Sequence, residues 1–307
     1  MKKTIVILSG GNSDESEISR VTSIEIQKAL NNNYQTILVN PVDFSSISKM
    51  VNKIKEIMPF IVFNGLHGAE GENGSIQAAL SLENIYFTGS GSKSSAIAMD
   101  KFLSGKLVKS IGIPVPKQVF LTNLNLDWSK LEDLNFPIVV KPNDSGSSVG
   151  ISIVKEREKL AEAIEDAFKF SKNVICENYI SGRELTVTIL GDEALPVVEI
   201  IPKNGWYDFV NKYTKGTTIY EVPAKLSTQE MSEIQQKALQ IFKLFKCSVY
   251  ARIDFRFDGT SFYFLEVNTL PGMTPLSLTP MAVKKSGLNF NELLEKIIRL
   301  SMGKYEK

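Results

Sequence analysis

The clearest chemical pattern lies near the end of the chain, where residues 251–268 read ARIDFRFDGTSFYFLEVN. Two runs of alternating residues flank a glycine-containing turn, which predicts a β-hairpin. The simplest register pairs Asp258 with Phe262 across the turn. That register puts Asp254 opposite Glu266, with Cβ atoms about 5 Å apart. Two facing carboxylates repel each other, and a hard divalent cation such as Mg²⁺ would remove the conflict.

Strand alternation predicts which side chains share a face of this hairpin. Arg252, Asp254 and Arg256 share one face of the first strand. The shared face of the second strand carries Phe262, Phe264, Glu266 and Asn268. A solvated polar face with a cross-strand Arg–Glu pair explains the pattern about as well as a metal site. The extra oxygen ligand Asn268, followed by a Thr-Leu-Pro-Gly stretch, favours the metal.

A glycine- and serine-rich loop follows a second apolar strand, in the sequence VVKPNDSGSSVG at 139–150. Lys141 ends the strand, and the loop leads into another strand. Successive N–H groups of such a loop can bind phosphate oxygens. The GxxxxGK[ST] pattern of a P-loop is missing, and a strand rather than a helix follows. A flexible surface turn is the alternative.

Two further polar segments follow strands in the first third of the chain. Asp14 and Glu17 have the spacing of a capping box, which would explain both acids by helix capping alone, and Glu15 could serve the helix dipole. His67 is the only histidine and lies at a strand end before a glycine- and acid-rich stretch. A lone histidine is more often structural, and its position favours function only modestly.

Strands alternate with helical patterns in the first ninety residues, which predicts βαβ units and a parallel sheet. The predicted strands are 4–8, 34–39 and 60–64, with a helix over 14–30. A flexible GSGS stretch then precedes a helix at 95–110, so we place a domain boundary between Gly89 and Asp100. Later predicted strands are 137–141, 151–154, 173–177, 185–190, 196–201, 249–257 and 261–267, with helices at 156–170, 227–245 and 290–302.

Composition narrows the classes of function. The 307 residues include 35 Lys+Arg and 34 Asp+Glu, for a net charge of +1, which disfavours nucleic acid as the main partner. No apolar run reaches the length of a membrane span, so no membrane association is expected. Cys176 and Cys247 lack metal or disulfide spacing, and no secretion signal follows the first residues. These features predict a cytoplasmic protein.

Taken together, the motifs resemble those of D-alanine–D-alanine ligases in the ATP-grasp superfamily. The matching segments run in the family's order and cover essentially the whole chain, and the last is the most specific. They are LSGGNSDESEIS (8–19), NGLHGAEGENGSIQ (64–77), TGSGSKSSAIAMDK (88–101), VVKPNDSGSSVGIS (139–152), ENYISGRELTV (177–187), NKY (211–213), ARIDF (251–255) and LEVNTLPGMTPLSLTPMA (265–282).

This resemblance implies an α/β, three-domain ATP-grasp fold with a parallel-sheet (pre-ATP-grasp) domain and two α+β ATP-grasp subdomains. The expected bounds are 1–95, 96–182 and 183–307, with a lid at 203–223. The implied reaction joins two D-alanine molecules through an acyl phosphate, at the expense of ATP, for peptidoglycan precursor synthesis. A homodimer is expected by family analogy.

The resemblance also implies roles for individual residues. Two Mg²⁺ ions, replaceable by Mn²⁺, would be held by Asp254, Glu266 and Asn268. ATP would be bound by Lys101, Lys141, Glu177, Tyr179, Ile180, Glu184 and Lys212. The amino-acid substrates would meet Glu15, His67, Arg252, Gly272, Ser277 and Leu278. Catalysis would use Glu15, Ser147, Tyr213, Arg252, Gly272 and Ser277.

Alternatives remain open at this point. Tyr213 favours an amine over a hydroxyl nucleophile, because relatives that use D-lactate tend to carry phenylalanine at the matching position. The LSL run at 276–278 departs slightly from relatives that have a polar residue in the first position of this run. D-Alanyl-D-serine or D-alanyl-D-lactate synthesis is the near alternative. A regulatory nucleotide-binding module is disfavoured by the paired carboxylates with an oxyanion arginine. An ATP-grasp kinase is disfavoured by Glu15 and the segment 272–278.

Overall fold

The computed structural model describes residues 2–125, 127–214, 216–274 and 277–306, without the side chains of Phe209 and Tyr213. Within these ranges the chain forms thirteen strands and twelve α-helices, arranged on three sheets. No helix in the described part of the chain is long and apolar enough to cross a membrane.

The first sheet is parallel, with strand order β2-β1-β3. Its elements are β1 (Thr4–Leu8), α1 (Ser16–Leu30), β2 (Gln35–Val39), α2 (Ile47–Ile57), β3 (Ile61–Asn64), α3 (Ala69–Glu72), α4 (Ser75–Leu82) and α5 (Ser92–Met99). Ile5 and Ile7 enter one core cluster, and Val6 and Leu8 enter another. Both faces of β1 are therefore covered, which explains its uninterrupted apolar sequence.

The second sheet is antiparallel, with order β4-β7-β5-β6. Its elements are α6 (Lys101–Ser110), β4 (Gln118–Leu121), α7 (Trp128–Leu131), β5 (Ile138–Pro142), β6 (Ser152–Val154), α8 (Leu160–Phe168) and β7 (Val174–Asn178). The single helix predicted over 95–110 is wrong. Asp100, with ψ of 98°, separates α5 from α6, and its carboxylate caps α6 by accepting from the Leu103 amide at 2.9 Å.

The third sheet has six antiparallel strands, in the order β11-β10-β8-β12-β13 with β9 paired to β8. Its elements are β8 (Arg183–Leu190), β9 (Glu193–Ala194), β10 (Val198–Pro202), α9 (Phe209–Tyr213), β11 (Thr218–Glu221), α10 (Thr228–Leu244), β12 (Tyr250–Phe257), β13 (Phe262–Asn268), α11 (Leu278–Lys285) and α12 (Phe290–Met302). The segment 203–223, which lacked periodicity in the sequence, contains the short helix α9 and the strand β11.

In the β12–β13 hairpin Asp254 lies opposite Glu266, as predicted, although the pairing of the residues between them and the turn differs from the predicted register. Phe257, not Asp258, pairs with Phe262, and a bulge between Asp254 and Phe255 shifts the pairing by one residue. The two departures cancel at the carboxylates, because a bulge adds one residue to one strand.

The same bulge corrects the predicted second-strand face. Phe262 and Phe264 lie in a buried apolar cluster together with Val267. Glu266 instead lines an open cavity, so the phenylalanines and Glu266 do not share a face. Strict two-residue alternation fails wherever a bulge inserts an extra residue.

The last helix joins the end of the chain to its beginning. Apolar residues of α12, among them Leu293 and Ile297, enter the same core cluster as Ile5 and Ile7 of β1. This packing brings the loops that follow β1 and β3 close to the third sheet.

Candidate active site

Two adjoining cavities contain every predicted site residue except Tyr213, whose side chain lies outside the described residues. Cavity 1 lies between the second and third sheets, and of the predicted residues it is lined by Lys101, Lys141, Glu177, Tyr179, Ile180, Glu184, Lys212, Arg252, Asp254 and Glu266. Cavity 2, of about 520 Å³, is lined by Glu15, His67, Lys101, Ser147, Lys212, Arg252, Glu266, Asn268, Gly272, Ser277 and Leu278. That volume lies within the roughly 300–1,000 Å³ usual for ligand sites.

The cavities share one wall, which we call the junction. Its residues line both cavities: Lys101, Tyr207, Lys212, Arg252 and Glu266. Three of the five are cations, although the whole chain is almost neutral. An anionic group bound at the junction would therefore meet concentrated positive charge between two compartments.

The two hairpin carboxylates each face a cation in this structure. Both oxygens of Asp254 accept from Arg252, at 2.9 Å from Nε and 2.8 Å from Nη2, and Thr186 Oγ1 donates to Asp254 at 2.5 Å. Glu266 lies 3.4 Å from the Lys101 amine. These pairs remove the repulsion that the opposed carboxylates would otherwise suffer.

The electrostatic surroundings keep Glu266 ionised. Burial by itself would raise the pKa of Glu266, but nearby cations outweigh burial and lower the pKa to about 2. The cations are Lys101, Lys212, Arg252 and Lys141. Glu266 is therefore a permanent anion at neutral pH.

Oxygen donors that would suit a cation are present at the hairpin. Asp254, Glu266 and Asn268 supply two carboxylates and one amide, and Mg²⁺ typically takes one or two carboxylates and completes its shell with phosphate oxygens and water. Among the described residues, no group of three His, Cys, Asp or Glu side chains could hold a metal alone. The donor set thus fits a metal shared with a phosphate ligand.

Glu15 occupies a closely fitted position at the edge of cavity 2. Ser147 Oγ donates to its Oε1 across 132 residues of sequence. A Cβ on Gly146 or Gly68 would lie only 2.5 or 2.8 Å from Glu15 Oε2, so these two glycines leave room for the carboxylate. Burial and the nearby carboxylate of Glu72 raise the pKa of Glu15 above its ordinary value.

The capping-box explanation of the loop before α1 is wrong. The N-cap is Glu15 rather than Asp14, and no side chain caps the helix. Helix capping therefore does not account for Glu15, which leaves its carboxylate for Ser147 and for the cavity. His67 is held nearby by Thr22 at 3.1 Å and Glu72 at 3.4 Å.

In cavity 1 several of the predicted nucleotide residues are held by charged partners. Lys141 Nζ lies 2.6 Å from Glu177 Oε1, and both side chains are buried. Glu184 pairs with Arg256 at 3.3 Å. Burial raises the pKa of Glu184 to about 7, despite the opposing effect of Arg256. The protonation of this carboxyl therefore changes near neutral pH.

Residues of the segment 203–223 line both cavities. Trp206 lines cavity 1, Thr218 and Tyr220 line cavity 2, and Tyr207 and Lys212 belong to the junction. Ser148 in the glycine-rich loop donates to the Tyr207 carbonyl at 3.2 Å. Two loops from different sheets thus contact each other above the junction.

The far end of cavity 2 is formed by the start of α11. Ser277 is the N-cap, and its hydroxyl bonds Thr274 Oγ1 at 2.9 Å. The amide of Leu278 belongs to the first turn, where N–H groups have no partner inside the helix and the helix dipole favours an anion. Gly272 lines the same wall.

Comparison with known proteins identifies the family. The family model for the D-Ala–D-Ala ligase C-terminus matches residues 107–299. A D-alanine–D-alanine ligase of Aquifex aeolicus is 42% identical over 300 residues, covering 96% of this chain and 99% of that protein. The chain belongs to the D-alanine–D-alanine ligase family.

Solved structures of the family agree in fold. The D-alanine–D-alanine ligase of Bacillus anthracis complexed with ATP matches with a TM-score of 0.86 at 32% identity, covering 99% of this chain and 98% of that one. The VanG D-Ala:D-Ser ligase of Enterococcus faecalis matches with a TM-score of 0.83 at 30% identity, covering 98% and 100%. The predicted ATP-grasp fold class is confirmed.

Two residues that hold the site together in this D-alanine–D-alanine ligase homologue were not predicted from the sequence. Asn143, which is 2% exposed, accepts from the Phe102 amide at 2.9 Å and so ties the glycine-rich loop to the start of α6, where Lys101 lies. Glu72 lines cavity 2 and approaches His67. The acid-rich stretch after His67 pointed towards Glu72, whereas nothing local marked Asn143.

Proposed function

We propose that this chain joins two D-alanine molecules into D-alanyl-D-alanine, with cleavage of ATP to ADP and phosphate, as a step of peptidoglycan precursor synthesis. The observation that carries the proposal is the cationic junction between two cavities. A ligase of this kind must hold a nucleotide and two small amino acids so that the terminal phosphate meets a carboxylate. Family membership and the ATP named in the Bacillus anthracis structure support the same reading.

ATP would occupy cavity 1. Tyr179 and Ile180, with apolar neighbours, would enclose the base, while Glu177 and Glu184 would accept hydrogen bonds from the base and ribose. Lys101, Lys141 and Lys212 would meet the phosphates. Support comes from the clustering of these residues around one cavity whose far wall is the junction.

Two Mg²⁺ ions would be held by Asp254, Glu266 and Asn268, and Mn²⁺ could replace them. When bound, the metal would neutralise charge on the terminal phosphates. Asp254 would then exchange its contacts with Arg252 for the metal, since Arg252 now occupies both carboxylate oxygens. The freed guanidinium would remain beside the reacting carbon.

The chemistry has two stages. The carboxylate of the first D-alanine attacks the γ-phosphorus of ATP, and ADP leaves. The carboxylate oxygen is a poor leaving group, and its phosphorylation gives an acyl phosphate from which phosphate can leave. The amine of the second D-alanine then attacks the acyl carbon, loses a proton, and phosphate departs. Arg252 and the Gly272 amide would stabilise the oxyanion, and removal of one such donor commonly costs about 10²–10³ in rate.

Cavity 2 would orient the two amino acids. Glu15 would bind the ammonium group of the first D-alanine, with His67 nearby. Ser277 and the Leu278 amide would bind the carboxylate of the second. Ser147 and Tyr213 would link Glu15 to the lid, and the Glu15–Ser147 bond supports the first part of that link.

The segment 203–223 would act as a lid that excludes water from the acyl phosphate. Its contacts with both cavities and with the glycine-rich loop support this role. Hydrogen exchange should slow in the segment on addition of ATP and a phosphinate analogue of the dipeptide. Unchanged exchange would contradict the lid.

A coupled ADP-release assay tests the proposed function. ADP should form with D-alanine and not with L-alanine, and mass spectrometry should find the dipeptide. A parallel assay with D-serine tests the D-Ala:D-Ser activity for which VanG, to which this chain is also similar, is named, and an assay with D-lactate tests the other near alternative. ADP release that requires D-lactate or D-serine and ignores a second D-alanine would overturn the substrate assignment, and a released phosphorylated product without dipeptide would indicate a kinase.

The functional units would be residues 1–95, 96–182 and 183–307, which correspond roughly to the three sheets. The enzyme would work in the cytoplasm as a homodimer, and analytical ultracentrifugation tests that oligomeric state.

A further inference from the structure

The Glu177 carboxylate is held from two sides. It is 3% exposed and lies on the wall of cavity 1. Oε1 accepts from Lys141 at 2.6 Å, and Oε2 accepts from Gln118 Nε2 at 2.8 Å. Because a carboxylate only accepts, the Gln118 amide must present its NH₂ group, which fixes the orientation of that amide.

The backbone prepares this contact. Gln118 on β4 and Glu177 on β7 are direct partners in the antiparallel ladder, so their side chains emerge side by side. Gln118 itself is absent from the residues that line the cavities. It therefore acts on a ligand only through Glu177.

A helical glycine makes room for the Gln118 amide. Gly105 lies inside α6, a position where glycine is disfavoured relative to alanine. A Cβ there would lie 2.8 Å from Gln118 Oε1 and 3.2 Å from Val115 Cγ1. The amide is thus confined between Gly105 on one side and Glu177 on the other.

We propose that Gln118 is a positioning residue for base selection, which holds the Glu177 carboxylate so that its remaining lone pairs point to the base end of cavity 1 and favour adenine over guanine. The inference rests on the proposed use of ATP. Adenine carries an amine donor on its six-membered ring where guanine carries a carbonyl acceptor. A fixed carboxylate accepts from the amine and repels the carbonyl, whereas a carboxylate free to rotate discriminates less.

The first test substitutes Gln118→Met, which keeps length and removes the hydrogen bond, with Lys117→Met as the matched control. Lys117 is exposed and pairs with Asp133. Calorimetric titration with Mg²⁺ and the imido analogues of ATP and GTP gives the selectivity. The ATP:GTP affinity ratio should fall about tenfold in Gln118→Met, the order expected for one hydrogen bond to a charged group. Lys117→Met should keep the wild-type ratio.

Two further readouts separate positioning from a structural role. The imido triphosphate of purine riboside, which lacks the amine, should bind Gln118→Met and wild type equally. In turnover, the KM for ATP should rise while kcat and the KM for D-alanine stay unchanged. A lower melting temperature with an unchanged ATP:GTP ratio would overturn the proposal.

Gly105→Ala gives an independent test, with the exposed Lys109→Ala on the same helix as control. The new methyl should displace the Gln118 amide and lower the ATP:GTP ratio in a protein that folds, and Lys109→Ala should not. If Gln118→Met fails to fold, Gly105→Ala alone tests the proposal. A wild-type ATP:GTP affinity ratio in Gly105→Ala would overturn it. If wild type released no ADP with D-alanine, the proposed function would fail while the titrations still reported on Gln118.

Discussion

Substitution of Gly146 by alanine should selectively damage the first amino-acid site. The backbone of Gly146 does not have the positive φ that only glycine adopts easily, so alanine is compatible with the fold. Its Cβ would stand 2.5 Å from Glu15 Oε2, and the oxygen must retreat by roughly 0.5 Å to reach the about 3.0 Å that real contacts require.

The expected loss of activity follows from the proposed contact between the Glu15 carboxylate and the ammonium group of the first D-alanine. A displaced Glu15 would lose much of a charge-assisted hydrogen bond to the ammonium group of the substrate, which is worth about 1.5–3 kcal/mol. That corresponds to roughly a 10- to 150-fold loss of kcat/KM for the first D-alanine. The KM for ATP should stay unchanged, because Gly146 lines cavity 2 and not cavity 1.

The assay measures steady-state kinetics with D-alanine and ATP varied separately. Melting temperatures are measured on the same variants. Gly91→Ala is the matched control, since φ is −80° there and no atom lies within 4 Å of the new methyl. Wild-type kinetics for D-alanine in Gly146→Ala would refute the reasoning. So would an equal rise of both KM values, because it would point to general disruption of the loop.

Three other perturbations test the electrostatics of the site. With the pKa of Glu184 raised to about 7, its ionised form appears as pH rises through 7, so the KM for ATP should fall over that range, and Glu184→Gln should abolish the dependence. Glu72→Gln removes a charge that raises the pKa of Glu15, so the acidic limb of the D-alanine pH profile should move to lower pH, and an unmoved limb would contradict the assignment. Thr186→Val removes the 2.5 Å hydrogen bond to Asp254, and the Mg²⁺ concentration for half-activation should rise about 10- to 100-fold. An unchanged Mg²⁺ requirement would count against Asp254 as a ligand.

Local sequence patterns predicted the elements that depend on local alternation, burial and helical spacing. The β12–β13 hairpin and the apolar strand β1 follow from alternation and burial, and the helix at 290–302 follows from its amphipathic spacing. The bulge at Asp254/Phe255 had no such signal. The predicted facing of Asp254 and Glu266 was right only because the turn and the bulge shift the register in opposite directions.

Contacts between distant segments were beyond local reasoning. From the sequence, Glu15 could simply serve the helix dipole next to a capping box of Asp14 and Glu17. Its bond from Ser147 depends on packing between separate sheets. The same holds for Asn143, which joins the glycine-rich loop to α6, and for Gln118, whose partner lies 59 residues away. Family motifs identified Glu15 and Ser147, because such motifs retain the outcome of tertiary packing.

We expect the junction between the two cavities to receive the terminal phosphate of ATP and its metal ions. A crystal structure with Mg²⁺, ATP and a phosphinate analogue of the dipeptide tests it most directly. The account predicts metal ions ligated by Asp254, Glu266 and Asn268, with the transferred phosphate near Lys101 and Arg252. A triphosphate bound elsewhere, or metal ions that touch none of the three ligands, would contradict it.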